Sequence, residues 1–173
     1  MGAIILRLYS LIIAFSFLRL KGIISPMLAA LFIRRKVLLT RSPNDNNELL
    51  VLKKILLKNN IKTIIRLNSD NNYHDDLIID KIQIIDLIFN DGSIPSLDII
   101  VKFMNIIQNN EKIAIHCRAG LGRSGLLACI WLMTQLGFSA KDAITWIRII
   151  RPGCIHGYQG HYIETLECLR NSN

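Results

Sequence analysis

The sequence predicts an α/β domain: a central, largely parallel or mixed sheet of about four to five strands flanked by helices. Short β-branched runs alternate with longer stretches whose apolar residues recur at helical spacing. A glycine-rich loop also stands directly between one such run and one such helix, as in a strand-to-helix unit. The 173 residues suffice for one ordinary domain with a short extension. A hydrophobic content of 51% excludes a disordered chain.

Val37–Thr40 reads as a first short strand, followed by the polar loop Arg41–Asn47 with its Pro43. Glu48–Lys58 places Leu49, Leu52, Ile55 and Leu56 on one helical face. Ile61–Leu67 and Ile82–Ile88 are short and β-branched, as buried strands are. Pro95–Gln108 is expected to be helical with Pro95 in its first turn. Lys112–His116 is a strand, and Arg123–Leu136 a helix ended by Gly137. Ala140–Ile150 is a helix capped by Ser139 and stopped before Pro152. Tyr158–Arg170 makes the last helix.

Charge and cysteine placement narrow the partners. Residues 1–44 carry seven basic residues and no acid, whereas residues 45–173 carry 14 basic and 13 acidic ones. The net charge of +8 therefore describes the N-terminal segment, not a basic body that would bind nucleic acid. Aromatic residues, at 7%, are too few to interleave with a basic patch, so nucleic acid is excluded as a partner. Cys117, Cys129, Cys154 and Cys168 form no Cys-x-x-Cys pair. That argues against a bound metal or a disulfide scaffold, and for a reducing, cytoplasmic compartment.

The chemistry lies in His116-Cys117-Arg118-Ala119-Gly120-Leu121-Gly122-Arg123-Ser124-Gly125. Gly120, Gly122 and Gly125 fit a dinucleotide-binding spacing, but no strand follows the next helix to carry the acid that motif needs. A phosphate-binding reading uses every residue. The amides of Arg118, Ala119, Gly120, Leu121, Gly122 and Arg123 can converge on an anion at a helix N-terminus. The same positive field stabilises charge on the Cys117 sulfur, which makes it a nucleophile. Arg123 offers a planar fork to two phosphoryl oxygens. The Ser124 hydroxyl can stabilise the sulfur as it leaves in a second step.

These residues resemble the cysteine-dependent phosphatases, in particular the dual-specificity branch near the mitotic-exit (cell-division-cycle) phosphatases and their small single-domain relatives. The resemblance runs from about residue 37 to 168 and rests on three stretches: Ile65-Arg66-Leu67-Asn68, Phe89–Ser96, and His116–Gly125 continuing to Arg148–Gly153. It implies the cysteine-phosphatase fold, no cofactor, and hydrolysis of phosphotyrosine or phosphoserine/threonine in proteins through a phosphocysteine. It also implies Asp91 as the acid, with Asp86 ranked second as a structural carboxylate. His116 is expected to orient the loop, and Arg118 to read a second negative charge or stand in solvent. The family's glutamine pair is reduced to Gln159, the second position being Gly160. Either Gln159 in a shifted register or His161 then takes its role, or hydrolysis of the intermediate is slow.

Two other functions stay open on sequence. A phosphoinositide or lipid phosphatase would suit the basic, apolar N-terminus, although Arg118 is the one basic residue inside the loop. A phospho-binding module without turnover would suit the altered glutamine segment.

Residues 1–36 form a separate apolar, basic segment, and residues 37–173 the catalytic domain. The runs Leu8–Leu18 and Gly22–Ile33 are each too short for a span of roughly 20 residues. Joining them would bury Arg19 and Lys21 at roughly 2.5–3.5 kcal/mol each. An interfacial helix or shallow hairpin at a membrane surface is expected instead, Arg34-Arg35-Lys36 facing anionic lipid. Packing of one run on the domain as an extra helix is the alternative.

Overall fold

The computed structural model describes residues 32–33, 36–70 and 72–172. Among these residues five strands, β1 (Phe32–Ile33), β2 (Val37–Arg41), β3 (Thr63–Arg66), β4 (Gln83–Asp86) and β5 (Ile113–Cys117), form one sheet in the order β1-β2-β5-β3-β4. The last four of these positions are all parallel, and β1 runs antiparallel to β2. Among the described residues the α-helices are α1 (Asn46–Lys58), α2 (Leu97–Asn109), α3 (Arg123–Leu136), α4 (Ala140–Ile150) and α5 (Tyr158–Asn171). The expected fold class holds.

Strand alternation divides the interior in two. Val37 and Leu39 of β2, Ile65 of β3, and Ile113, Ile115 and Cys117 of β5 join one core with Phe103 and Ile107 of α2 and with α3, α4 and Ile163 of α5. Their strand neighbours Leu38, Ile64 and Ala114 are as deeply buried but lie outside that core, as do Leu49, Leu52 and Leu56 of α1. The α3 helix is buried from Arg123 through Met133. A helix apolar on all sides belongs in the centre of a fold. Its first turn, with Arg123 and Ser124, is therefore carried inside as well.

Several boundaries differ from the expected ones. The sheet begins at Phe32, ahead of the expected domain start at Val37. Ser96, not a residue before Pro95, caps α2, its Oγ accepting from the Ile99 amide at 3.4 Å. Proline offers no such oxygen, so it stays outside the helix. A 3₁₀ turn at Asp75–Leu77 has no signal in the hydrophobic pattern; Asp75 sits there to pair with Arg66 at 2.9 Å. Residues 1–31, 34 and 35 of the expected N-terminal segment lie outside the described residues. Among the described residues no helix is long and apolar enough to cross a membrane.

Parallel strands bring their C-terminal ends to one edge, where loops can build a site. Arg41 stands opposite Cys117, and both Thr40 and Arg66 stand opposite His116. The helix after α3, α4, begins with Ser139 accepting from the Asp142 amide at 3.0 Å and donating to its carboxylate at 2.7 Å. Ser139→Ala is expected to cost about 1 kcal/mol in urea unfolding, the usual value of a lost cap, with turnover unchanged.

Candidate active site

Cys117 ends β5 in the middle of the sheet, and Arg123 opens α3. Between them every carbonyl is held by a donor from the surrounding fold. The Ser42 amide donates to the carbonyls of Cys117 (2.9 Å) and Arg118 (3.2 Å). The Arg151 guanidinium donates to Ala119 at 3.1 Å, and the Cys154 thiol to Gly120 at 3.8 Å. The Ile155 amide donates to Leu121 at 3.2 Å, and the Leu126 amide to Gly122 at 2.9 Å. In a trans peptide the N–H points opposite to the preceding carbonyl. Holding carbonyls 117–121 outside therefore turns amides 118–122 inward. Those amides have no protein acceptor among the described residues. They form a nest for an anion.

Gly120 is where the loop tolerates no side chain. Its φ is +71°, and a Cβ there would lie 2.5 Å from the Thr40 carbonyl oxygen and 2.6 Å from Arg151 Nη2. Gly125 lets α3 approach Cys154 and Ile155, each 3.3 Å from where its Cβ would be.

The sequence-selected side chains converge on this nest. Cys117 is 2% exposed, with its Sγ 3.5 Å from the Ser124 hydroxyl. Arg123, 5% exposed, donates through Nη1 to the carbonyls of Leu67 (2.9 Å) and Phe89 (3.0 Å). Its Nε lies 3.2 Å from Asp91 Oδ1, close enough for an ion pair but not aligned as a hydrogen bond, and makes no other one. One nitrogen thus anchors the guanidinium while its Nε edge is left for an anion. Asp91 is the carboxylate nearest that edge, on an exposed turn. Asp86 is committed elsewhere: both its oxygens accept from Arg66, at 2.6 and 2.9 Å. It is the structural carboxylate the sequence suggested.

His116 lies beneath the loop, its Nε2 3.2 Å from the Tyr73 hydroxyl. Burial, then the nearby Arg66 guanidinium, push its pKa down to about 4, with Arg123 adding to the effect. It is a neutral hydrogen-bonding group at physiological pH. Burial pushes the Cys154 thiol the other way, up to about 12, so it stays protonated as a donor to the loop.

The glutamine position has a clear geometry. Gln159 is 2% exposed and its side-chain amide packs on Gly122, 3.4 Å from where a Cβ would stand. Its Oε1 accepts from the His156 amide at 3.4 Å, and its Nε2 is buried without a partner. Gly160 faces Ile155 and Ile144 in the core instead. His161 is exposed and lies 3.7 Å from Glu164, so it is not drawn to the loop. Arg118 is exposed at the rim, 3.6 Å from Asp70. Among the described residues no group of His, Cys, Asp and Glu side chains could hold a metal ion.

Sequence reasoning assigned no role to Ser42, Tyr73, Arg151 or Tyr158. Arg151 had a signal, since it opens the Arg-Pro-Gly turn quoted for the resemblance. The others act through one backbone amide or one hydroxyl, which leaves no pattern.

Two outcomes follow from this geometry. Gly120→Ala is expected to lose at least about 3 kcal/mol of stability, or to shift the loop and abolish phosphate binding; urea unfolding and phosphate titration distinguish the two. His116 has its pKa lowered on folding, so its contribution is complete above the unfolded value of about 6.5 and is lost as pH falls toward 4. Between pH 6 and 5 the wild type should lose more stability per pH unit than His116→Gln, by up to about 1.4 kcal/mol.

The family described as dual specificity phosphatase, catalytic domain, matches residues 45–167. The mouse dual specificity protein phosphatase CDC14A is 45% identical over 109 residues, 62% of this chain and 18% of the relative. The Saccharomyces cerevisiae tyrosine-protein phosphatase CDC14 is 39% identical over 132 residues, 73% of this chain and 24% of the relative. The chain thus spans under a quarter of the length of these curated relatives. Among solved structures, Tk-PTP in the active form superposes with a TM-score of 0.68 at 25% identity, covering 83% of this chain and 98% of that one. PTPMT1 in complex with PI(5)P superposes at 0.66 with 18% identity, covering 80% and 94%, which is a likeness of fold. With the family matched across most of the chain, and its cysteine–arginine loop folded as an anion nest, this chain belongs to the dual specificity phosphatase catalytic-domain family.

Proposed function

We propose that the chain hydrolyses phosphomonoesters on phosphoproteins, phosphotyrosine or phosphoserine/threonine, through a phosphocysteine. The observation that carries this is the nest of inward amides with the Cys117 sulfur at its base and the Arg123 Nε edge beside it. The amides and Arg123 hold three phosphoryl oxygens, most tightly as charge builds in the transition state. The Cys117 thiolate attacks phosphorus, an S–P bond forms, and the P–O bond to the leaving group breaks. Its electron pair leaves on oxygen, which takes the Asp91 proton. In the second step water attacks phosphorus and gives its proton to the Asp91 carboxylate. The P–S bond breaks, and the returning thiolate is stabilised by the Ser124 hydroxyl 3.5 Å away. Gln159, with its buried and unpartnered Nε2 beside Gly122, positions that water. His116 fixes the base of the loop as a neutral donor or acceptor toward Tyr73.

A lipid headgroup as substrate finds less support, because Arg118 at the rim is already within ion-pair distance of Asp70. We further propose that residues 1–30, with their acid-free apolar runs, hold the domain at a membrane surface. Flotation with anionic liposomes should separate the full chain from one beginning at Leu31, which keeps β1; equal partitioning excludes the anchor.

Cys117→Ser should abolish p-nitrophenyl phosphate turnover, and retained turnover excludes the mechanism. Asp91→Asn should lose about 10²–10⁴-fold on phenyl phosphate and far less on p-nitrophenyl phosphate, whose leaving group needs little protonation. Gln159→Ala should show a burst of phenol followed by a slow steady rate. A burst from the wild type followed by a near-zero steady rate would instead favour a binding module. Phosphate release from phosphopeptides should exceed that from short-chain phosphoinositides.

A further inference from the structure

On the reading that Asp91 is the acid, we propose that Tyr158 is a positioning residue that holds Asp91 over the loop while substrate is bound. Asp91 belongs to a turn closed on itself, with the Ser93 amide and hydroxyl both donating to the Asn90 carbonyl, at 3.1 and 2.7 Å. Gly92, at φ +71°, carries the turn into open space, with nothing within 4 Å of where its Cβ would be. Among the described residues, residues 90–95 make a single hydrogen bond to another segment, in which the Tyr158 hydroxyl donates to the Gly92 carbonyl. The second tie is the ion pair between Asp91 and Arg123 Nε.

Those two ties fare differently when a substrate arrives. The Nε edge of Arg123 is what the nest offers a phosphoryl oxygen, so a bound phosphoryl group takes the place of the Asp91 carboxylate there. The ion pair is lost at the moment the acid is needed. The Tyr158 bond is made to the Gly92 backbone carbonyl and uses neither the carboxylate nor the guanidinium, so a phosphoryl group does not compete for it. Tyr158 is itself well placed to bear the turn, although the residue is 57% exposed. It opens α5 immediately before Gln159, whose buried side chain packs on Gly122. The nest, Gln159, Tyr158, Gly92 and Asp91 thus form one chain of contacts that returns to the nest. It sets the acid in register with the same loop that holds the phosphoryl group. Holding a reacting group near its attack geometry is worth orders of magnitude in rate.

The test is a double-mutant cycle of Tyr158→Phe and Asp91→Asn, read as kcat/KM on phenyl and p-nitrophenyl phosphate. This parameter reports steps through formation of the phosphocysteine, so Gln159 and the hydrolytic step do not enter it. Tyr158→Phe is expected to lose about tenfold on phenyl phosphate and less than about twofold on p-nitrophenyl phosphate. In the Asp91→Asn background it should lose nothing further, because an absent acid needs no positioning. An equal loss on both substrates, no loss on either, or a loss that persists with Asp91→Asn overturns the proposal while leaving the acid assignment intact. Asp91→Asn with no leaving-group-dependent loss overturns the assignment of the acid, and the role of Tyr158 with it.

Discussion

The site depends on the outward fixing of the loop carbonyls between Cys117 and Gly122. A run of backbone amides cannot by itself choose to face an anion, since each plane must satisfy both of its polar groups. Here the fold supplies a donor behind every carbonyl: the Ser42 amide from the end of β2, Arg151, Cys154 and Ile155 from the turn after α4, and Leu126 from the first turn of α3. Preorganisation of this kind is what makes amide dipoles effective catalysts, because they need not reorient during the reaction. It also explains why residues with no chemistry of their own stand so close to the chemistry.

Buried charge is distributed with the same logic. Arg66 and Arg123 both enter the protein interior, but their companions differ. Arg66 is fully answered by Asp86 and Asp75. Carboxylate and guanidinium there form a closed unit that ties β3 to β4 and keeps the loop's base rigid. Arg123 is bonded to two neutral carbonyls and faces one exposed carboxylate, so its charge is only partly compensated. On the proposed function, a phosphoryl dianion completes what Asp91 begins. His116, kept neutral between these cations, adds no competing charge beneath the nucleophile.

Much of this was legible in the sequence because it depends on periodicity or on a compact motif. The short apolar, β-branched runs of β2, β3 and β5, and the helical spacing in α1, predict the layers. The residues Cys117, Arg123 and Ser124 lie within one short stretch of sequence and suggest their chemistry together. Asp91 needed the family resemblance, since a lone Asp-Gly reads as a turn. What stayed hidden is either long-range or backbone-mediated. The two-residue β1 has too little pattern to be seen, and Tyr73 reaches His116 only through the folded sheet. Gln159 packs on Gly122 while Gly160 turns to the core, a rotation of α5 that spacing alone does not fix.

The parallel pairing of β5 with both β2 and β3 has a consequence for assembly. Its partners are distant in sequence, and contacts of that range form late and slowly during folding. The donors behind the loop come from still more scattered segments, before β3 and after α4. The anion nest therefore cannot exist in a partly folded chain, whatever helices have already formed. The proposed activity thus waits for the complete fold. Until then Cys117 is an ordinary thiol on an unfinished strand, open to oxidation or misplaced cross-linking without the surroundings that make it useful.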